Sequence, residues 1–343
     1  MLRSRRVRHP LLALLVATAL LLGAGLAPAA PAAAAPTPGT PDEGGSKQLR
    51  EALEAAAKGH IEAKAKLDNS KRRQVALTGQ LREIEGRLVG LTAQAGEVAV
   101  QSYRLGRLTP VSMLLESADP QSFLKRAAEL EVMAQRDSAR LRDLNQARAE
   151  AARAKTAIDG EVREQAKQLV ALARKKRDAE IALAKVSSGS GSGFRGGGSS
   201  SARPAPRNPD GSWPSESCSV DDPTPADGCI TPRTLHMLQQ AQAAGYKRYA
   251  SCHRSGGDGE HPKGRACDFS AAAGGFEDVT ATGGDKAYGD SLASWAKNNA
   301  GRLGIMYVIW YRQIWMPNTG WRAYSGGGSP AADHTNHVHI SMY

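Results

Sequence analysis

Two short stretches of this 343-residue chain collect side chains that can do chemistry. The first, "HPKGRACDFS", carries His261 and Asp268 with six residues between them. The second, "DHTNHVHIS", carries His334, His337 and His339. Imidazole nitrogens and a carboxylate oxygen are donors that zinc takes. Three protein ligands with a fourth position open make a catalytic rather than a structural zinc site. His337 and His339 are two apart in a segment that reads as a strand, so their side chains share a face. Asp268 shares a face with Ala266 and Ser270 in a second expected strand, and the small Ala266 leaves room beside the carboxylate. If the two strands are neighbours, Asp268 meets one of the last two histidines, and His261 on the entering loop completes a set of three. A further neutral imidazole can then take a proton. Each residue taken singly has a plainer reading: a solvated loop His, a fortuitous His-x-His pair, or Asp268 paired with Arg254 or Arg265. Arg312, in "VIWYRQIW", is a candidate for holding a substrate carboxylate, or else an exposed strand arginine.

The elements that must position these residues lie in residues 218–343, about 125 residues that can bury a core with help from disulfides. All five Trp fall from Trp213 onward. Thr231-Pro232 caps a helix ending near Gly245. "YKRYASCHR" and "GRACDFSAA" read as strands, Asp285 as the cap of a helix, "GIMYVIWYRQIWM" as strand-like and "HVHISMY" as a terminal strand. The expectation is a small α+β domain around a mostly antiparallel sheet. The four cysteines, Cys218, Cys229, Cys252 and Cys267, allow three pairings as two disulfides. The pairing expected is Cys218–Cys229 with Cys252–Cys267. A cysteine zinc site is disfavoured because no C-x-x-C pair exists.

The rest of the chain has different compositions. Residues 1–10 are basic, 11–27 apolar, and a small-residue cleavage site follows Ala34, so 1–34 reads as a secretory signal peptide, with an uncleaved anchor as the alternative. A Pro/Gly/Thr-rich leader occupies 35–45. Residues 46–186 have long-helix composition. Leu77, Leu81, Ile84, Leu88, Leu91, Ala95 and Val98 alternate steps of four and three, and the frame extends back through Leu49, Leu53, Ala56, His60, Ala63 and Leu67. A second seam is expected through Leu130, Ala134, Leu141 and Leu144, then Leu169, Leu172, Ala179, Leu183 and Val186. Thr109-Pro110 and Asp119-Pro120 break the pattern with a cap and a proline each. A long α-helical coiled-coil hairpin follows, its tip formed by Met113, Leu114, Leu115 and Phe123, which close the end or dock a partner. Residues 187–217 read as a flexible Gly/Ser/Pro linker. The formal net charge of +11 suits a polyanionic partner. Export argues against nucleic acid and permits disulfides.

"HPKGRACD" fits the H-x-x-G-x-A-x-D motif of the zinc peptidase superfamily of M15-type D-Ala-D-Ala carboxypeptidases, Hedgehog-like domains and LAS-type murein endopeptidases, and "HTNHVH" resembles the close of the LAS-type members. The resemblance covers roughly 218–343. It implies a Zn2+ site ligated by His261, Asp268 and His339, with His337 as general base and His334 supporting it. The M15 Glu-x-x-Trp-His segment is absent: Asp333 and Asn336 stand there, and Glu260 ranks low as a substitute base. The domain is also similar to one frequent in secreted actinobacterial proteins. The stalk, with "YRLGRLTPVSMLLESADPQSFLKR", resembles the coiled-coil halves of peptidoglycan hydrolases controlled by the cell-division complex of the FtsE/FtsX kind, which implies a membrane-embedded partner. The expected function is a secreted, wall-associated zinc metallopeptidase cutting peptidoglycan stems or cross-bridges, positioned or regulated by the stalk. The alternative is a non-catalytic wall-binding scaffold.

Overall fold

The computed structural model describes residues 45–106, 112, 114–185, 189, 191–194 and 200–343. The expected signal peptide, the leader up to residue 44, Thr109-Pro110, Met113 and Val186 lie outside the described residues. Among those described, no helix is long and apolar enough to cross a membrane.

The molecule has two parts, one of long helices and one built on an antiparallel sheet. Helix α1 spans Lys47–Leu105 and starts where the Ser46 side chain accepts from the Leu49 N–H. Helix α2 spans Pro120–Ala184, and Asp119 caps it by accepting from Gln121 and Ser122. Pro120 suits the first position because its missing N–H would be unbonded there in any case. The two helices run antiparallel, since Arg73 pairs with Glu161 and, further along, Arg87 pairs with Glu150.

On α1 the expected seam is the packed one. Leu49, Leu53, Ala56, Ala63, Leu67 and Ser70 are buried, and Leu77 to Val98 are half-buried at the same spacing. On α2 the expected frame is wrong in part. Leu141 and Leu169 are exposed, and the buried row runs through Leu144, Ala147, Ala151 and Ala154. The physical reason is size: alanines on the contact row let helix axes approach, whereas a pattern search favours the larger leucines beside them.

The sheet domain begins with a small ribbon, β1 (Val220–Asp221) against β2 (Cys229–Ile230). Helix α3 (Pro232–Ala243) starts at the Thr231 cap, as its Thr-Pro pair predicts. Then come β3 (Ala250–Ser251), β4 (Ala266–Ser270), helix α4 (Gly283–Leu303), β5 (Ile305–Trp310), β6 (Gln313–Met316), β7 (Gly320–Ala323) and β8 (His337–Met342). The six-stranded sheet has the order β3-β4-β8-β5-β6-β7, and its neighbours pair antiparallel.

Three expectations need correction. "YKRYASCHR" supplies only the two residues of β3. Asp285 does not cap α4: Thr282 stands at the cap, and Asp285 instead pairs with Arg248. "GIMYVIWYRQIWM" is two strands, because Tyr311 and Arg312 take left-handed φ values of 49° and 59° and turn the chain back on itself. That turn removes Arg312 from any strand.

Residues 200–217 of the expected linker pack on the domain. Ala202, Ala205 and Trp213 are buried, Asn299 accepts from the Ala202 N–H at 2.9 Å, and the Arg207 guanidinium lies 3.5 Å from the Trp213 ring centroid.

Alternation along the strands gives the sheet two unlike faces. Cys267, Phe269, Val308, Trp310, Val338, Ile340 and Met342 point into a core with Met237, Leu238, Leu292, Trp295 and Leu303 of α3 and α4. On the opposite face, Tyr307, Ile309, Ile314 and Met316 form a second cluster with Leu49, Leu53 and Ala56 of α1 and Ala179, Ala182 and Leu183 of α2. The base of the long helices is therefore part of the sheet's covering.

Candidate metal centre

β4 and β8 pair with Asp268 directly opposite His339 and Ser270 opposite His337. This register joins the two stretches that are far apart in sequence. Alternation sends Cys267 and Phe269 into the core and leaves Asp268 on the other face with His337 and His339. His261 reaches the same point from the loop before β4.

Three ligand atoms converge. His339 Nδ1 lies 2.8 Å from Asp268 Oδ1, His261 Nε2 lies 3.2 Å from Asp268 Oδ2, and the two imidazole nitrogens lie 3.2 Å apart. His261, Asp268 and His339 are all buried, with ligand atoms within 4.8 Å of one another. Of the two histidines that spacing left open, His339 is the one inside this set. His337 stands beside it, its Nε2 3.6 Å from Asp268 Oδ1. The ring of His334 is 4.6 Å from that of His337, centroid to centroid.

The outward nitrogens are fixed by neighbours. His261 Nδ1 bonds the carbonyl of Cys252, and His339 Nε2 bonds Ser341 Oγ at 2.6 Å. Such outer hydrogen bonds set which ring nitrogen faces a metal. The tautomer of His337 follows by elimination. Asn336 Nδ2 donates to the Glu277 carbonyl at 2.6 Å, which can only accept. Asn336 Oδ1 therefore faces His337 Nδ1 at 2.7 Å and requires a proton on that nitrogen. His337 Nε2 is left with its lone pair. Both it and His334 Nε2 are buried without a hydrogen-bond partner.

Electrostatics sharpen these assignments. Burial disfavours an imidazolium at His337 and takes its pKa down to about 4, despite the attraction of Asp268. Burial likewise holds His334 well below the ordinary range. For His261 burial opposes the charge too, but the charge and hydrogen bond of Asp268 outweigh it and raise the pKa. Burial alone would raise Asp268; the charge of His261 and the bonds it receives take it well below the carboxylate range. With His337 neutral near neutral pH, the polar partners of Asp268 are His261, His339 and Arg254.

The donor set of two imidazole nitrogens and one carboxylate suits zinc. Beside it, His337 Nε2 and His334 Nε2 are buried and make no hydrogen bond to another side chain or to the backbone. His261, Asp268 and His339 thus fit the metal, and His337 and His334 border it.

Arg312 is not brought among these residues. It sits on the β5–β6 turn, its guanidinium largely exposed and bonded to Asp333 at 2.9 Å. Glu260 is no base either, since Lys263 and Arg265 both hold its carboxylate. Arg254 does pair with Asp268, at 3.3 Å, whereas Arg265 goes to Glu260 and Glu54. The four cysteines form Cys218–Cys229 and Cys252–Cys267.

Sequence reasoning misses Tyr307, Ser341 and the orienting role of Asn336. Tyr307 stacks on His339 at 5.8 Å, and nothing local to β5 announces that β8 lies beside it. Ser341 was accessible, being two residues beyond His339 and so on its face.

The fold and this cluster define an α+β domain with a candidate mononuclear metal centre. A protein-family model described as "VldE, C-terminal domain" matches residues 226–335, a stretch that contains His261, Asp268 and His334 and stops before His337. No curated protein and no solved structure matches the chain.

Proposed function

We propose that this chain is an exported zinc hydrolase of the M15/LAS kind that cuts peptide bonds in peptidoglycan stems or cross-bridges. The observation that carries the reading is the convergence of His261, Asp268 and His339 beside an imidazole whose lone pair is free. When bound by these three, Zn2+ would supply Lewis acidity, lowering the pKa of water to about 7 and polarising a carbonyl. His337 Nε2 is the proton acceptor, held in that tautomer by Asn336. His334, neutral and against His337, limits how that ring can tilt. Arg254 neutralises the outer side of Asp268.

In this reading α1 and α2 form a coiled-coil hairpin whose base regulates the centre. Arg50 pairs with Asp258 and Glu54 with Lys263 and Arg265, on the loop that carries His261. Leu49 and Leu53 lie in the cluster that also holds Tyr307, which stacks on His339. A substrate reaches the centre only when this base lifts. The far end of the hairpin, where Leu115 and Tyr103 are exposed, is the place for a membrane-embedded partner that drives the lift.

One observation favours the non-catalytic scaffold instead. All five cluster side chains are at most 4% exposed, leaving no open path to the centre. The two readings separate in one experiment on the full chain. The hydrolase reading expects about one zinc per chain and muropeptide release from purified sacculi that rises in Glu54→Gln. It also expects loss of both zinc and release in His339→Ala. Zinc without released muropeptides in either the native chain or Glu54→Gln, across several wall chemotypes, leaves the scaffold.

A further inference from the structure

We infer that the Cys252–Cys267 disulfide is a positioning device for the metal ligands, so that metal retention depends on its oxidation; the inference rests on the metal-centre reading above. The β3–β4 ladder ends at Ser251 opposite Asp268. One residue further, Cys252 faces Cys267, and the disulfide continues the pairing where backbone hydrogen bonds stop. Both ends of the bond act on ligands. The Cys252 carbonyl accepts from His261 Nδ1 and so aims Nε2 at Asp268. Cys267 immediately precedes Asp268, and its burial in the core turns that carboxylate to the opposite face.

Without the bond, residues 252–265 have no ladder to hold them. At the Cys252 end, Thr224 Oγ1 accepts from the Cys252 N–H at 3.2 Å, Asp222 Oδ2 accepts from the His253 N–H at 2.6 Å, and His253 Nδ1 bonds the Asp227 carbonyl at 2.7 Å. These three partners belong to the loop closed by Cys218–Cys229, whereas the ion pairs to Arg50 and Glu54 hold the loop further along, at Asp258, Lys263 and Arg265. That second disulfide also abuts the turn after His261, where a Cβ on Gly264 would lie 2.5 Å from Cys218 Sγ. Cys218–Cys229 therefore supports the loop from beneath, whereas Cys252–Cys267 touches the ligands' own backbone.

Reduction breaks the S–S bond to two thiols. A dithiol supplies the two electrons and two protons and itself becomes a disulfide. Free thiols can ligate zinc on their own account, so the test uses serine. In the full chain, Cys252→Ser/Cys267→Ser should weaken zinc binding about 10–100-fold, the range for losing an outer support of a ligand. Zinc is titrated against a chelator at a temperature where circular dichroism shows the variant folded. Cys218→Ser/Cys229→Ser should lower the melting temperature and shift zinc affinity less. Unchanged zinc affinity in folded Cys252→Ser/Cys267→Ser overturns the inference, as does a loss equal in both double variants. If the variant does not fold, native protein is reduced with a dithiol while zinc release and the Cys252–Cys267 linkage are followed together, the latter by peptide mass. Release in step with that linkage supports the inference, and release out of step overturns it. A native, oxidised chain that takes up no zinc overturns the metal centre itself.

Discussion

The two faces of one sheet carry opposite chemistry although they share strands. On β8, Val338, Ile340 and Met342 enter the apolar core, while His337, His339 and Ser341 face the other way and are just as buried. On β4, Phe269 and Asp268 divide in the same manner. The apolar face needs nothing beyond shape and exclusion of water. On the polar face, Cys252, Ser341, Asn336 and Arg254 partner the nitrogens and oxygens of His261, His339, His337 and Asp268, while His337 Nε2 and His334 Nε2 have no hydrogen-bond partner. The apolar part of the second face, Tyr307, Ile309, Ile314 and Met316, is covered by the base of the long helices.

Substitutions can break this comparison in order of size. Ile340→Ala, on the apolar face, should cost about 2–5 kcal/mol of stability through the cavity it leaves. Chemical denaturation reads that loss, and zinc content of the folded fraction should not change. Asn336→Ala, on the polar face, should in the hydrolase reading slow muropeptide release about 10–100-fold with zinc content unchanged, because it acts on an outer support of His337. A fall in zinc together with activity would mean Asn336 holds the ligands rather than the base.

Glu54→Gln probes the covering helix and should have the smallest effect, because glutamine can keep a hydrogen bond to Lys263 or Arg265 and loses chiefly their charge attraction. Burial tends to raise the Glu54 carboxyl, yet the bond from Lys263 and the charge of Arg265 bring it down to about 2. A carboxylate depressed on folding stabilises above its unfolded value near 4.5 and loses that contribution as pH falls through about 2. The stability difference between native and Glu54→Gln chains should therefore be full at pH 5–7 and vanish towards pH 2. A difference that disappears already by pH 5 would show that Glu54 is not held by these cations.

Much of the site was legible because strand alternation is strict. His337 and His339 on one face and Asp268 facing away from Cys267 follow from a period of two, and the cysteine pairing from the short segments each bond closes. What was not legible depends on neighbours supplied by distant segments. Nothing in Tyr311-Arg312 signals a left-handed turn, since neither residue is Gly, Asn or Asp, and so the hairpin and the true position of Arg312 stay hidden. Ala202 and Ala205 look like spacer residues until Asn299 and helix α4 give them a surface. The α2 seam hides for a related reason: alanine is buried there by the approach of α1, which the α2 sequence does not record.

The most direct test of the central claim is X-ray absorption at the zinc edge on the purified full chain loaded with one equivalent of Zn2+. The account predicts nitrogen and oxygen neighbours at about 2.0–2.2 Å with an imidazole signature, and loss of that signature in Asp268→Asn. A sulfur shell at about 2.3 Å, or a spectrum unaltered by Asp268→Asn, would contradict it.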